Sequence, residues 1–405
     1  MIKVNGKNYN TKNKPVVAIC MDGTSYDYYE AAKDKMPNLQ RFIKDGSLGF
    51  VNSVIPSFTN PNNMAIATGV TPDINGICGN FYYDKALDEE VMMNDPKYMT
   101  AETIFSAFAK AGKKVAVVTT KDKLRKMLSK DLSEGICFSA EFSVQANIEE
   151  NGIENVIELM GKPNPTIYDP NISVYCIEAG AKLLSKEHFD LLYLTTTDFV
   201  QHKYAPNDPE AIEFLANIDH WIGELDKLGA IIAVTADHGM SAKTNPDGSP
   251  KVQFIETILA EAGIKSRVIL PITDPYVVHH GALGSYGTVY LANDDIAAAK
   301  AVLSGLEGIE LVLSNQEAVE KFNLPGDRIG ELVVLSDEHT VIGRSKDWHD
   351  LDKVKSGLRS HGGLHESVVP MILNRKLNPE YASKLATGDA RNFNIYDFLF
   401  NGTVD

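Results

Sequence analysis

The sequence predicts an α/β protein: a mostly parallel sheet flanked by helices, with an inserted α+β segment. Two observations carry that expectation. Short, nearly continuous apolar runs alternate with longer amphipathic segments, as they do where parallel strands are buried on both faces. After Gly248 the rhythm changes to closely spaced strands and helices.

In chain order, "KPVVAICMDG" reads as a strand ending at Asp22, and "YEAAKDKMPNLQRFIKDG" contains a helix closed by Gly46. "ETIFSAFAKAG" is a helix stopped by Gly112, followed by the strand "KKVAVVTT". "SVYCIEAGAKLLSKEHF" reads as helix and "DLLYLTTTD" as strand. The long helix "DPEAIEFLANIDHWIGELDKLG" precedes the strand "AIIAVTADHG"; Asp219 and His220 are expected on its exposed polar face. Beyond Gly248, "SRVILPIT", "GTVYLAND" and "GIELVLS" read as strands, mixed with the helices "NDDIAAAKAVLSGL" and "SNQEAVEKF". "ELVVLSDEHTVIG" suggests two more strands around a polar turn, and "HGGLHESVVPMILN" a return to the main sheet. The expected division is a core of residues 1–245 and 346–405 with a cap at 246–345.

Composition excludes several classes. A chain of 405 residues with 44% hydrophobic and 23% charged residues suits an ordinary globular protein with a sizeable core. A net charge of −15 argues against a nucleic-acid backbone or an anionic membrane as partner, while leaving room for a small anionic substrate. "MIKVNGKNYN" has no apolar signal region, and no apolar run nears the ~20 residues needed to span a bilayer. Cys20, Cys78, Cys137 and Cys176 form no CxxC pair, so a cytoplasmic location is expected.

The chemistry gathers at strand ends. Asp22, Asp198 and the Asp237–His238 pair each close an apolar strand, where open α/β sheets bind ligands. In "TTTDFVQHKY", Asp198 and His202 are four apart, so one helical turn would face both the same way. Taken singly, such a DxxxH is an ordinary helix start and an Asp-His before Gly an ordinary turn. Together, mixed carboxylate and imidazole ligands suit zinc, with manganese or iron as alternatives.

"PSFTNPNNMAIATG", Pro56 to Gly69, opens a buried-looking helix with a hydroxyl. Thr59 there has two readings: a helix cap, with Pro61 in the first helical position, or a nucleophile where a helix N-terminus welcomes phosphate. A hydroxyl beside a cation ionises more readily, which favours the nucleophile if the strand-end residues hold metals. Two metals could hold both the attacking and the leaving group of an in-line displacement.

"MDG" at 21–23, "PSFTNPNNMAIATG", "GICGNFYYD", "TTTDFVQHKY", "TADHGM" and "SHGG…VP" together resemble the alkaline phosphatase superfamily, over roughly 15–245 and 355–375. Within it, "KDKLRKML" and the threonine resemble the phosphonoacetate hydrolases, whereas "GNFYYD" has wording shared with nucleotide pyrophosphatase/phosphodiesterases. The resemblance implies two zinc ions, one held by Asp22, Thr59, Asp237 and His238, the other by Asp198, His202 and a late histidine. His361, beside the glycine pair, is preferred for that place, with His365 as the alternative. It also implies that Asn80 donates to a phosphoryl oxygen and that Lys121 and Lys123 bind a substrate carboxylate; without it they read as a turn residue and a solvated helix start. The implied reaction cleaves the C–P bond of phosphonoacetate to acetate and phosphate through a phosphothreonine on Thr59. A homodimer is compatible with this reading. The rivals are a nucleotide pyrophosphatase/phosphodiesterase or phosphomonoesterase of the same superfamily, and a non-catalytic metabolite-binding protein stabilised by metals. His279 and His280, in the expected cap, are candidates for lining a lid.

Overall fold

The computed structural model describes residues 1–272, 282–355 and 357–404; His279 and His280 lie outside them. The strands of the two larger sheets are β1 (Val16–Cys20), β2 (Ser47–Asn52), β3 (Val115–Thr119), β4 (Ile136–Ser139), β5 (Leu191–Thr195) and β6 (Ile231–Thr235), then β7 (Ser266–Ile269), β8 (Tyr286–Leu291), β9 (Ile309–Ser314), β10 (Leu332–Ser336) and β11 (Val368–Leu373).

The main sheet is seven-stranded, in the order β2-β11-β6-β1-β5-β3-β4. From β6 to β4 every pairing is parallel, while β11 pairs antiparallel with both of its neighbours, β6 and β2. The continuous apolar runs follow from burial on both faces. Val16, Ala18 and Cys20 enter one apolar cluster and Val17 and Ile19 the other, and β5 and β6 alternate likewise. The helices Asn171–Lys186 and Pro209–Lys227 cover one face. Helices Thr59–Thr68 and Ile104–Lys110 and the C-terminal aromatics Tyr396, Phe398 and Phe400 cover the other.

The long helix corrects one expectation. His220 is exposed, but Asp219 is buried and accepts from the backbone N–H groups of Asn38 and Leu39 at 3.1 and 2.7 Å. It satisfies the free N–H groups that open the helix Pro37–Asp45, a tertiary contact that helical periodicity does not reveal.

The second sheet is antiparallel and four-stranded, in the order β7-β8-β10-β9. Helices Ile296–Ser304 and Asn315–Phe322 accompany it, the latter opened by a capping box between Ser314 and Glu317. Leu332 and Val334 of β10 pack into an apolar cluster of this sheet's own, whereas Val333 and Leu335 join the main core. Among the described residues no helix is long and apolar enough to cross a membrane.

Candidate active site

Strands β6, β1 and β5 are parallel neighbours, so their C-terminal ends lie side by side. Asp237, Asp22 and Asp198 follow those ends by two or three residues, on loops rather than within the strands as read from the sequence. Asp22 is held through its backbone N–H, which donates to Thr196 Oγ1 at 2.9 Å. Gly23 makes the tight approach possible: its φ is +68°, and a Cβ there would stand 2.8 Å from that of Asp198. Asp237 Oδ1 accepts from the backbone N–H groups of Gly23 at 3.2 Å and His238 at 3.0 Å.

Among the described residues, two groups of buried ligand atoms each lie within 4.8 Å of one another: Asp198, His202 and His361, and Asp22, Asp198 and His238. Asp198 and His202 sit on the single turn expected, with Oδ2 and Nε2 2.9 Å apart, and His361 Nε2 is 3.4 Å from the same oxygen. His238 Nε2 lies 3.2 Å from Asp22 Oδ1 and 3.8 Å from Asp237 Oδ1, so Asp237 stands at the margin of this cluster. Of the two late histidines, His361 lies within it, its ring stacked on His238 at 3.5 Å. His365 is exposed and pairs with Glu310 at 3.1 Å.

Each clustered imidazole has its Nδ1 on a backbone carbonyl. His202 meets Arg359 at 2.7 Å, His238 meets Gly239 at 2.9 Å, and His361 meets Ser57 at 2.8 Å. A carbonyl can only accept, so Nδ1 carries the proton and Nε2 is left facing the carboxylates. The Ser57 contact has a second part: Gly362 N–H donates to Ser57 Oγ at 3.2 Å. Gly362 has a φ of +119°, and any Cβ there would strike the Phe58 ring at 2.3 Å.

Electrostatics describe a site short of positive charge. Burial, then the charges of Asp198 and Asp237, push the Asp22 carboxyl well above its usual range. Burial opposes protonation of His238, but Asp237 and Asp22 outweigh it and raise the group to about 10. Burial and then the charge of His238 push His361 down to about 3. Burial also works against ionised Asp198, yet His202 and Lys121 outweigh it and hold the carboxyl well below its usual range. Both Asp22 oxygens are buried and accept no hydrogen bond in good geometry. An orphaned carboxylate among inward-facing Nε2 atoms fits a divalent cation such as zinc.

Thr59 is the first residue of its helix, with Phe58 in the cap position and no side-chain cap bond. The capping reading is thereby corrected, and Pro61 stands third in the helix rather than first. The hydroxyl is half-buried, with Oγ1 3.4 Å from His238 Nε2. Lys121 and Lys123 open the helix Asp122–Leu128, both half-buried. Lys121 Nζ stands 3.7 Å from Asp198 Oδ1, and Lys123 Nζ lies 3.9 Å from Met92 Sδ. Asn80 is fixed by its backbone, donating to Pro271 O at 2.6 Å and accepting from Met93 N–H at 2.7 Å. Met93 O in turn accepts from Asn60 Nδ2 at 3.4 Å, which ties the Asn80 segment to the residue after Thr59.

Sequence reasoning missed the supports. Asn62 and Asn63 are fully buried in the Thr59 helix. Asn62 Oδ1 accepts from Val54 N–H at 2.8 Å, and its Nδ2 donates to the carbonyls of Val54, Pro56 and Phe58 at 3.0–3.3 Å, holding the approach to Thr59. Lys243 and Glu366, both wholly buried, pair at 2.8 Å. The available signal was "NN" in an otherwise apolar helix, since buried amides must find partners.

A sequence profile of the type I phosphodiesterase / nucleotide pyrophosphatase family matches residues 16–364. The chain belongs to this family. Among solved members of the wider alkaline phosphatase superfamily, phosphonoacetate hydrolase from Sinorhizobium meliloti 1021, in complex with phosphonoacetate, is 47% identical, with a TM-score of 0.95 over 100% of this chain and 99% of that one. The same enzyme in complex with phosphonoformate matches equally. Murine ectonucleotide pyrophosphatase / phosphodiesterase 5 shares the fold at 18% identity and a TM-score of 0.61, over 89% of this chain and 88% of that one. By sequence, an uncharacterized pyrophosphatase/phosphodiesterase of Schizosaccharomyces pombe is 23% identical over 65% of this chain and 51% of its own length. Venom phosphodiesterase 2 of Crotalus adamanteus is 23% identical over 53% of this chain and 24% of its own. The chain thus spans about half the length of the first of these two curated relatives and about a quarter of the second.

Proposed function

We propose that this family member hydrolyses the C–P bond of phosphonoacetate to acetate and phosphate. The observation that carries the proposal is half-buried Lys121, its Nζ 3.7 Å from Asp198 of the Asp/His cluster, with a second half-buried lysine, Lys123, two residues on at the same helix start. Phosphonoacetate presents two anionic groups, and the reading gives each its own set of cations. Full-length likeness to a phosphonoacetate hydrolase solved with phosphonoacetate and with phosphonoformate supports it.

In this reading Asp22, Thr59, Asp237 and His238 hold one zinc ion, and Asp198, His202 and His361 hold the other. Bound there, zinc would supply Lewis-acid charge for the phosphonate and for ionisation of the Thr59 hydroxyl. Thr59 Oγ1 forms the new bond to phosphorus as its O–H bond breaks, and the proton released balances the one that completes acetate. The P–C bond breaks with its electron pair passing to the methylene carbon, where the adjacent carboxylate delocalises it until a proton completes acetate. Lys121 and Lys123 bind that carboxylate, and their charge stabilises its enolate-like form. Asn80 donates to a phosphoryl oxygen as charge builds on phosphorus. Water then displaces Thr59 from the phosphothreonine and releases phosphate. Residues 246–345 act as a cap on this core, and four buried cysteines outside any disulfide suit the cytoplasm.

A second reading, phosphodiester hydrolysis, is favoured by the family match and the venom relatives. Rates on phosphonoacetate, p-nitrophenyl phosphate and a nucleotide diester, measured side by side on zinc-loaded protein, separate the two. Dominant phosphonoacetate turnover is expected. Faster diester turnover overturns the proposal, and no hydrolysis of any of them would leave a metal-stabilised binding protein.

A further inference from the structure

Asn63 stands one helical turn after Thr59 and is fully buried. Its amide uses all of its hydrogen-bonding capacity. Nδ2 donates to the backbone carbonyl of Thr59 at 3.1 Å and to Asp237 Oδ2 at 3.1 Å. Oδ1 is met by the hydroxyls of Tyr193 at 2.7 Å and Thr195 at 3.0 Å, both on β5. A hydroxyl can serve either way, but a carbonyl and a carboxylate can only accept, so the orientation of the amide is decided.

We propose that Asn63 is the positioning residue that locks the nucleophile's helix to the Asp237 carboxylate. The inference rests on the two-metal reading above. Asp237 Oδ1 is already taken by two backbone N–H groups, so its remaining freedom is rotation of Oδ2, which Asn63 removes. Because the same amide grips the Thr59 carbonyl, the first helical turn and one metal ligand move as a unit. The two β5 hydroxyls anchor that unit to the centre of the sheet. Asn63 touches no reacting atom; it acts through Asp237 and Thr59.

The test is a chelator-competition titration with zinc on the metal-stripped full chain, alongside steady-state kinetics on phosphonoacetate. Asn63→Leu keeps the branched outline of the side chain and removes both N–H donors together with the acceptor oxygen. It should weaken one of the two zinc ions by about ten- to a hundredfold, the usual effect of losing a ligand's hydrogen-bonded support, and leave the other close to wild type. The kcat should fall while KM changes little. The double variant Tyr193→Phe/Thr195→Val keeps the amide but frees it to turn, and should shift the same ion in the same direction by less. Circular dichroism shows whether Asn63→Leu folds; if it does not, the double variant carries the test. Unchanged affinities for both ions, or equal weakening of both, would overturn the role of Asn63. A wild-type chain that takes up fewer than two zinc ions fails at the earlier step and overturns the two-metal reading, and this inference with it.

Discussion

Replacing Lys243 by methionine should destabilise the protein far more than removing a surface charge would. Lys243 Nζ donates to Glu366 Oε1 at 2.8 Å and to the carbonyl of Glu338 at 2.7 Å, with both side chains inaccessible to water. Glu366 Oε2 accepts from Gly363 N–H at 3.1 Å, and its backbone carbonyl accepts from Gly239 N–H at 2.7 Å. The pair therefore joins the loop after His238 to the loop after His361. At an effective dielectric constant of ~20 the attraction at this distance is about 6 kcal/mol, largely offset by several kcal/mol of desolvation for each ion. The net value of the pair is accordingly small, but removal of one partner strands the other. Lys243→Met should cost about 3–5 kcal/mol. Lys243→Met/Glu366→Gln should recover most of that, because no charge is left buried and the glutamine carbonyl still serves Gly363 N–H. Urea unfolding of the metal-stripped protein, followed by circular dichroism, measures both. A single variant within ~1 kcal/mol of wild type, or a double variant no better than the single, would refute the reasoning.

Other expectations concern the site. Thr59→Ala should fold with nearly wild-type stability, because Oγ1 makes no cap bond, and should lose turnover; Thr59→Ser should keep part of it. Near-normal phosphate release from zinc-loaded Thr59→Ala would remove Thr59 as nucleophile. Lys123→Ala should lower kcat/KM for phosphonoacetate by roughly ten- to more than a hundredfold, the worth of a charge-assisted hydrogen bond, and barely affect p-nitrophenyl phosphate. Lys123 is a cleaner probe than Lys121, whose Nζ also stands 3.7 Å from Asp198; equal losses on both substrates would argue against carboxylate recognition. His361→Ala should lower the zinc content measured by elemental analysis while His365→Ala spares it, and the reverse ranking would move the ligand to His365. Metal-stripped protein should lose stability as pH rises above ~6.5, the ordinary histidine value. His238, raised to about 10, contributes stability that is complete below ~6.5 and lost as pH rises through 10. On the acid side two groups oppose each other: His361, lowered to about 3, favours the unfolded chain as protons are added, whereas Asp22, raised well above its usual range, favours the folded one. Unfolding midpoints across pH check this, and no alkaline loss would count against the His238 assignment.

The layered architecture was legible in the sequence, and so was the gathering of candidate ligands at one edge of the sheet. Runs such as "VVAIC" and "IIAVT" read as strands buried on both sides, and in the structure their alternate residues enter two separate apolar clusters. Parallel strands then placed Asp22, Asp198 and Asp237 at one edge, and Asp198 and His202 met across a single helical turn at 2.9 Å. The tertiary structure decided what local pattern leaves degenerate. "HGGLHES" holds two histidines on equal terms, and His361 enters the cluster because Gly362 lets the chain pass against Phe58, while His365 points to Glu310. Thr59 looked like a cap and is not one, because the helix begins at Thr59 itself and its hydroxyl lies near His238. Asp219 looked exposed and serves another helix. Asn63, Lys243 and Glu366 carried no readable signal of their partners, which lie 123 to 174 residues away for the contacts to Glu366 and Asp237. Periodicity reports which face of an element is apolar, whereas a buried polar group is satisfied by whatever the folded chain brings to it.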